Sequence, residues 1–216
     1  KNGTGFVRHW DSWETPGNYS RAFAVALGRD GKVTGEAVAL DGPVGTLTGD
    51  TPSKPMGGGE ELAWAADSQS VFFTARQSDA KEPLSTNLDI WHAMLDGKAP
   101  HSPTKANLGT DTQPRPSPDG KWLAWVAMER AGYEADRLVL HVMNLATHDR
   151  RVVTGAWDRS ISSLAWTPDS RALIVTAEDV LDTPAFRIER DSGKITRLRL
   201  APKGAREGHI GNVTPL

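Results

Sequence analysis

The chain has no cysteine among its 216 residues, which removes disulfide frameworks, thiolate metal sites and cysteine nucleophiles at once. Nor does any run approach the roughly eighteen apolar residues that a membrane-spanning helix needs, and Lys1 to Trp10 lacks a signal-peptide pattern. Charge of one sign is missing too: 25 Lys and Arg stand against 27 Asp and Glu, a net charge of -2. Such a balance exerts no general pull toward polyanions, so neither nucleic acid nor a membrane surface is an expected partner. No stretch holds an apolar i, i+3, i+4, i+7 stripe for three turns between caps, which argues against a helical bundle. No H-E-x-x-H occurs among the six histidines (His9, His92, His101, His141, His148, His209), and neither a metal nor any other cofactor is expected. A Gly-x-Ser-x-Gly elbow is also absent. Ser192, within Arg190-Asp191-Ser192-Gly193, lacks the glycine two positions earlier that a strained strand-to-helix turn demands, so no catalytic residue is assigned.

What the chain does have is glycine (21), proline (14) and tryptophan (8), distributed among short apolar runs, the composition of many strands separated by turns. Three phrases repeat: ELAWAADSQSVFFTA, QPRPSPDGKWLAWVA and SLAWTPDSRALIVTA. Their aspartates, Asp67, Asp119 and Asp169, fall 52 and 50 residues apart. Ser68, Gly120 and Ser170 follow them directly, and then come the apolar runs 71–73, 123–125 and 173–175. Each copy reads as strand, tight turn, strand. Aspartate accepts hydrogen bonds from its own turn backbone and glycine tolerates positive φ, so the chain reverses within a few residues.

The second half of each unit also repeats. Residues 21–27, 87–95, 137–145 and 184–189 read as strands, each leading into a turn such as GRDGK or RDSGK and then a further short strand. Four antiparallel strands in about 50 residues make one blade of a β-propeller, so the fold class is all-β. The expected division is residues 1–49 as the outer strands of one blade, 50–104, 105–155 and 156–204 as three whole blades, and 205–216 as the first strand of another. Three blades fall short of the usual four to eight. The expectation is therefore a partial propeller from a longer protein. The alternative is a small ring closed by the C-terminal strand completing the first blade.

FVRHWDSW, RAFAVAL, TPSKPMGGGEELAWAADS, STNLDIW, DTQPRPSPDGKWLAW, GYEADR, WDRSISSLAWTPDS and GHIG, in this order and spacing, resemble the propeller of the prolyl oligopeptidase family of serine peptidases, in its dipeptidyl-peptidase V and acylaminoacyl-peptidase branch. The resemblance implies an α/β-hydrolase domain in the same parent chain, peptide substrates, and a propeller that screens them by size. It also implies a periplasmic or secreted location. S-P-D-G turns are shared with the periplasmic Tol-system propeller, and a scaffold for protein–protein interaction is the alternative function.

Several residues are candidates for contact with substrate. Some dipeptidyl peptidases hold the substrate's amino terminus through a glutamate pair on a helical insertion, and Glu60-Glu61 invites that comparison; here the pair leads straight into a strand, where a solvated strand end is the plain reading. Glu134 with Arg137, and Asp158 with Arg159, set acids and arginines beside strand starts, where they can join neighbouring blades or grip a peptide. Asp158 and Arg159 are favoured for substrate because they enter an innermost strand. Trp64, Trp125 and Trp166 are expected to pack between blades, each burying on the order of 200 Å2. Trp10 and Trp13 are expected in the core. His92 and His141 fall at comparable strand positions, with a stacking or solvent-facing role, and His209 is expected to brace a turn.

Overall fold

The second strand of each repeat is apolar on both faces, and this decides the architecture. In the computed structural model, which describes residues 6–7, 13–14, 17–54, 56–77, 85–203, 205 and 208–214, three such strands stand at the centres of three sheets. The elements in order are β1 (Phe6–Val7), β2 (Trp13–Glu14), β3 (Phe23–Ala24), β4 (Val38–Ala39), β5 (Leu62–Trp64), β6 (Ser70–Ala75), β7 (Asp89–Met94), β8 (Asp111–Pro116), β9 (Trp122–Ala127), β10 (Val139–Asn144), β11 (Arg150–Val152), β12 (Ile161–Trp166), β13 (Ala172–Ala177), β14 (Ala185–Glu189) and β15 (Ile195–Arg197). Among the described residues there is no α-helix, only a 3-10 turn at Gly59–Glu61.

Every pairing between these strands is antiparallel and sequential. β8 to β11 and β12 to β15 form four-stranded sheets, β5 to β7 a three-stranded one, and β3 with β4 and β1 with β2 form ribbons. In the sheet of β5 to β7 the fourth place holds a single bridge, His92 to His101. Pro100 and Pro103 flank His101, and a proline has no N–H to extend a ladder.

The three aspartate turns are alike in detail. The amides of Gln69, Lys121 and Arg171 donate to Oδ1 of Asp67, Asp119 and Asp169 at 2.9, 3.1 and 3.1 Å. Ser68, Gly120 and Ser170 take φ of 57°, 69° and 57°, and each donates its N–H three residues back at 2.9 Å. Sequential units also join at one recurring place: Leu88 bridges Thr110 in parallel, the Ile161 amide donates to the Leu138 carbonyl, and Thr183 bridges His209 in parallel.

Neighbouring sheets then stack face to face. Val71 and Phe73 point toward Ala24 and Leu40 of the preceding ribbon. Phe72 points the other way, against Leu123, Trp125 and Met143. Ala124 and Val126 turn to Leu164, Leu173 and Val175 of the last four-stranded sheet. Alternation with a period of two thus feeds two interfaces from one strand. Trp125 is fully buried and Trp166 nearly so, as expected. Trp64 is not: it is 53% exposed. Its counterpart Trp166 reaches back to the preceding innermost strand, donating Nε1–H to the Arg115 carbonyl at 2.7 Å, and the described residues contain no such strand ahead of Trp64. Trp10 lies outside the described residues, and Trp13 is described only as strand backbone.

Because β9 feeds two interfaces, Leu123→Ala in the intact protein is expected to cost about 2–5 kcal/mol of unfolding free energy in a urea titration. Leu108→Ala, at a 65% exposed position, should change it by less than about 0.5 kcal/mol. Equal effects would contradict the packing described.

Candidate functional site

The innermost strands β5, β8 and β12 stand side by side and wall a cleft of about 860 Å3. Two of these strands carry bulges. The register of β8 shifts between Thr112 and Arg115, with Gln113 at φ 56°, and that of β12 shifts between Ile161 and Ser163. A left-handed glutamine is uncommon, and a bulge is a recognised way to re-aim the side chains that follow it. Gln113 donates Nε2–H to the Ser162 carbonyl at 3.1 Å, while its buried Oε1 finds no partner among the described residues. Residues 212–214 close one side of the cleft, with the Val213 amide donating to Ser163 Oγ at 3.1 Å.

Arg115 spans this wall. Its Nη1 donates to the carbonyls of Glu60 and Pro114 at 2.7 and 2.8 Å, and its Nε to the Leu164 carbonyl at 3.3 Å, so one side chain touches both neighbouring sheets. Burial pushes the guanidinium below its ordinary pKa, and the Glu60 charge opposes this. Sequence reasoning did not single out Arg115. The available signal was the repeat itself, which has Ala63 and Ala165 in the corresponding places, four residues before the turn aspartate.

The two glutamates separate. Glu60 is exposed and lines the cleft, whereas Glu61 is 4% exposed and lines a second cavity of about 250 Å3 together with Glu134, Lys54, Arg76 and Met128. Glu61 is therefore not the solvated strand end expected of it. The Ser53 amide and hydroxyl donate to its carboxylate at 2.6 and 2.5 Å, fixing the loop that precedes the 3-10 turn. Burial pushes this carboxyl up, and the Ser53 hydrogen bonds oppose the rise.

Asp158 and Arg159 enter β12 but are not part of the cleft lining, which on that strand consists of Ser162 and Ser163. Arg159 pairs with Asp158 at 2.7 Å and with Asp179 at 2.9 Å, and Asp179 also pairs with Arg197 at 2.8 Å, so the set ties the ends of a single sheet together. Arg137 donates to the carbonyls of Trp157 and Gly155, bracing the loop between β11 and β12. Glu134 and Arg137 thus serve different places.

A buried polar seam between the β5–β7 and β8–β11 sheets was also missed from sequence. Asp111 is 1% exposed and accepts Nε1–H of Trp125 at 2.6 Å and Nδ2–H of Asn107 at 2.9 Å. Burial outweighs both donors and raises its pKa to about 7. His92 stacks on Phe72 with centroids 4.1 Å apart, and His141 leans on Trp125 at 5.3 Å, the comparable roles expected of them. Burial lowers both imidazoles to about 4, helped by the charges of His101 and Arg150 respectively. His209 bonds Thr183 Oγ1 through Nδ1 at 2.9 Å, bracing the segment as expected.

Among the described residues neither ring nitrogen of His141 has a hydrogen-bond partner, so His141→Phe should stabilise the protein by about 1 kcal/mol at pH 7. Folded His141 holds a proton less well than the unfolded chain, which costs the wild type stability as pH falls from 6.5 toward 4. The advantage of the variant should widen over that window in denaturant titrations. A gap independent of pH would refute the assignment.

No protein-family model matches the chain. Dipeptidyl-peptidase 5 of Porphyromonas gingivalis is 34% identical over 193 residues, covering 88% of this chain and 27% of the relative. The chain thus spans about a quarter of that relative's length. Among solved structures, a puromycin hydrolase superposes on 83% of the chain and 27% of its own with a TM-score of 0.59 at 20% identity. TolB of Acinetobacter baumannii superposes on 82% of the chain and 37% of its own with a TM-score of 0.51 at 20% identity. Both structural likenesses bear on the fold, and the sequence match bears on descent. The chain belongs to the β-propeller part of the prolyl oligopeptidase family, alongside dipeptidyl-peptidase 5.

Proposed function

We propose that the chain is the substrate-gating part of a serine exopeptidase that hydrolyses short peptides, with blades bounded near residues 50–104, 105–155 and 156–204 and a further blade beginning within 205–216. The observation that carries this reading is the cleft walled by three successive innermost strands, placed in a chain related to dipeptidyl-peptidase 5. Its mechanism is exclusion. A passage between backbones, lined by small groups such as Ala63, Ser162 and Ser163, admits an extended peptide and refuses a folded domain before any chemistry begins. The nucleophile then belongs to an α/β-hydrolase domain of the parent chain, and the parent protein is placed in the periplasm or outside the cell.

Asp158 and Arg159 are assigned to the sheet rather than to substrate, since both carboxylate partners of Arg159 are already in place. Arg159→Ala should leave KM unchanged and lower the midpoint of a urea titration slightly, as the loss of solvent-screened pairs does. A raised KM with unaltered stability would return the pair to the substrate.

The second reading, a Tol-like scaffold without peptidase activity, draws on the TolB superposition. The two part on one experiment: labelling of the intact gene product with a serine-directed fluorophosphonate, followed by digestion of short peptides and of a folded protein. Labelling with cleavage of the peptides alone is expected. Absence of labelling would favour the scaffold, and cleavage of the folded protein would remove the gate.

A further inference from the structure

Arg115 is more than the repeat requires. The corresponding residues of the other two copies are Ala63 and Ala165, and both of those sheets form without a long cation in the channel. A buried or half-buried arginine is ordinarily offset by a carboxylate. Here, among the described residues, the guanidinium forms no ion pair; all three of its hydrogen bonds go to carbonyl oxygens. Those bonds use Nε and Nη1 and leave Nη2 without a partner among the described residues.

The surroundings suit one kind of ligand. Carbonyls of two different sheets fix the guanidinium plane, so little side-chain freedom remains to be lost when an anion binds. The Ser162 hydroxyl is exposed on the same cleft wall and supplies a second donor. The Gln113 amide nitrogen is already committed to the Ser162 carbonyl, which positions that segment. Among the described residues, Glu60 is the one carboxylate whose charge reaches Arg115, and it lines the same cleft without an ion pair there.

We propose that the Arg115 guanidinium, clamped to the channel wall by the carbonyls of Glu60 and Leu164, binds a carboxylate of a peptide lying in the cleft. The carboxylate is the peptide's C-terminal group or an acidic side chain. The proposal rests on the reading of the cleft as a peptide passage, and adds to it a preference: the gate selects by charge as well as by width. Glu60 opposes the binding of such an anion, so its neutralisation strengthens it.

Calorimetric titration of the intact protein tests this without relying on hydrolysis. The probes are N-acetyl-triglycine, its C-terminal amide, and N-acetyl-Gly-Glu-Gly amide. Wild type should bind the free acid on the order of tenfold more tightly than the amide. Arg115→Gln should abolish the difference, Arg115→Lys should keep part of it, and Glu60→Gln should enlarge it. Tight binding of the glutamyl amide assigns the site to acidic side chains, and weak binding assigns it to the chain terminus. Equal dissociation constants for acid and amide in the wild type, which need no variant to fold, would overturn the proposal, as would a preference that survives Arg115→Gln. A carboxylate preference in a protein that fluorophosphonate does not label would sink the peptidase reading alone; labelling without the preference would sink this inference alone.

Discussion

Burial of both faces of a single strand is the constraint from which the rest of this structure follows. β6, β9 and β13 each sit second in their sheets, flanked by partners that satisfy their backbone groups; β6 and β9 send alternate side chains into two different interfaces, and β13 packs Leu173, Val175 and Ala177 against the preceding sheet. Leu123, Trp125 and Ala127 serve the interface on one side, Ala124 and Val126 the one on the other. A sheet buried on both faces has no stable existence by itself, so the sheets must follow one another in a row. That succession brings β5, β8 and β12 together at the inner edge, and the cleft is the consequence of packing rather than a separate construction.

The inner edge also shows where the regular plan is altered. Innermost strands need straight ladders to hold their sheets, yet β8 and β12 both carry a bulge, and β8 sets a glutamine in the left-handed region. The residues just past the β8 bulge are the ones that cross between sheets. Arg115 reaches 55 residues back to Glu60 and 49 forward to Leu164, and Trp166 returns a bond to its carbonyl. One side chain and one main-chain group thus join three sheets at the wall of the cleft.

Much of this was legible in the sequence because the decisive chemistry is local. An aspartate that accepts its own turn's N–H two residues on needs nothing from the rest of the chain, and the three turns formed as their spelling indicated. The matched positions of His92 and His141 were readable for the same reason: register follows once the hairpins are fixed. What escaped depends on groups far apart in sequence. Glu61 looks like a solvated strand end until Ser53 folds back over it, and Trp64 looks like Trp166 until the strand it would rest on is sought. The fourth place in the β5–β7 sheet shrank to one bridge because two prolines flank it, a local signal that the repeat pattern obscured. The Asp111 seam was invisible because its members, Asn107 and Trp125, come from a loop and a separate strand.

The most direct test of the central claim is amide hydrogen exchange along the intact protein. If the second strands are the doubly buried centres of successive sheets, the amides of 70–75, 122–127 and 172–177 should be the slowest to exchange, well behind those of the outer strands 150–152 and 195–197. Exchange of 122–127 as fast as that of 150–152 would contradict the packing on which the whole account stands.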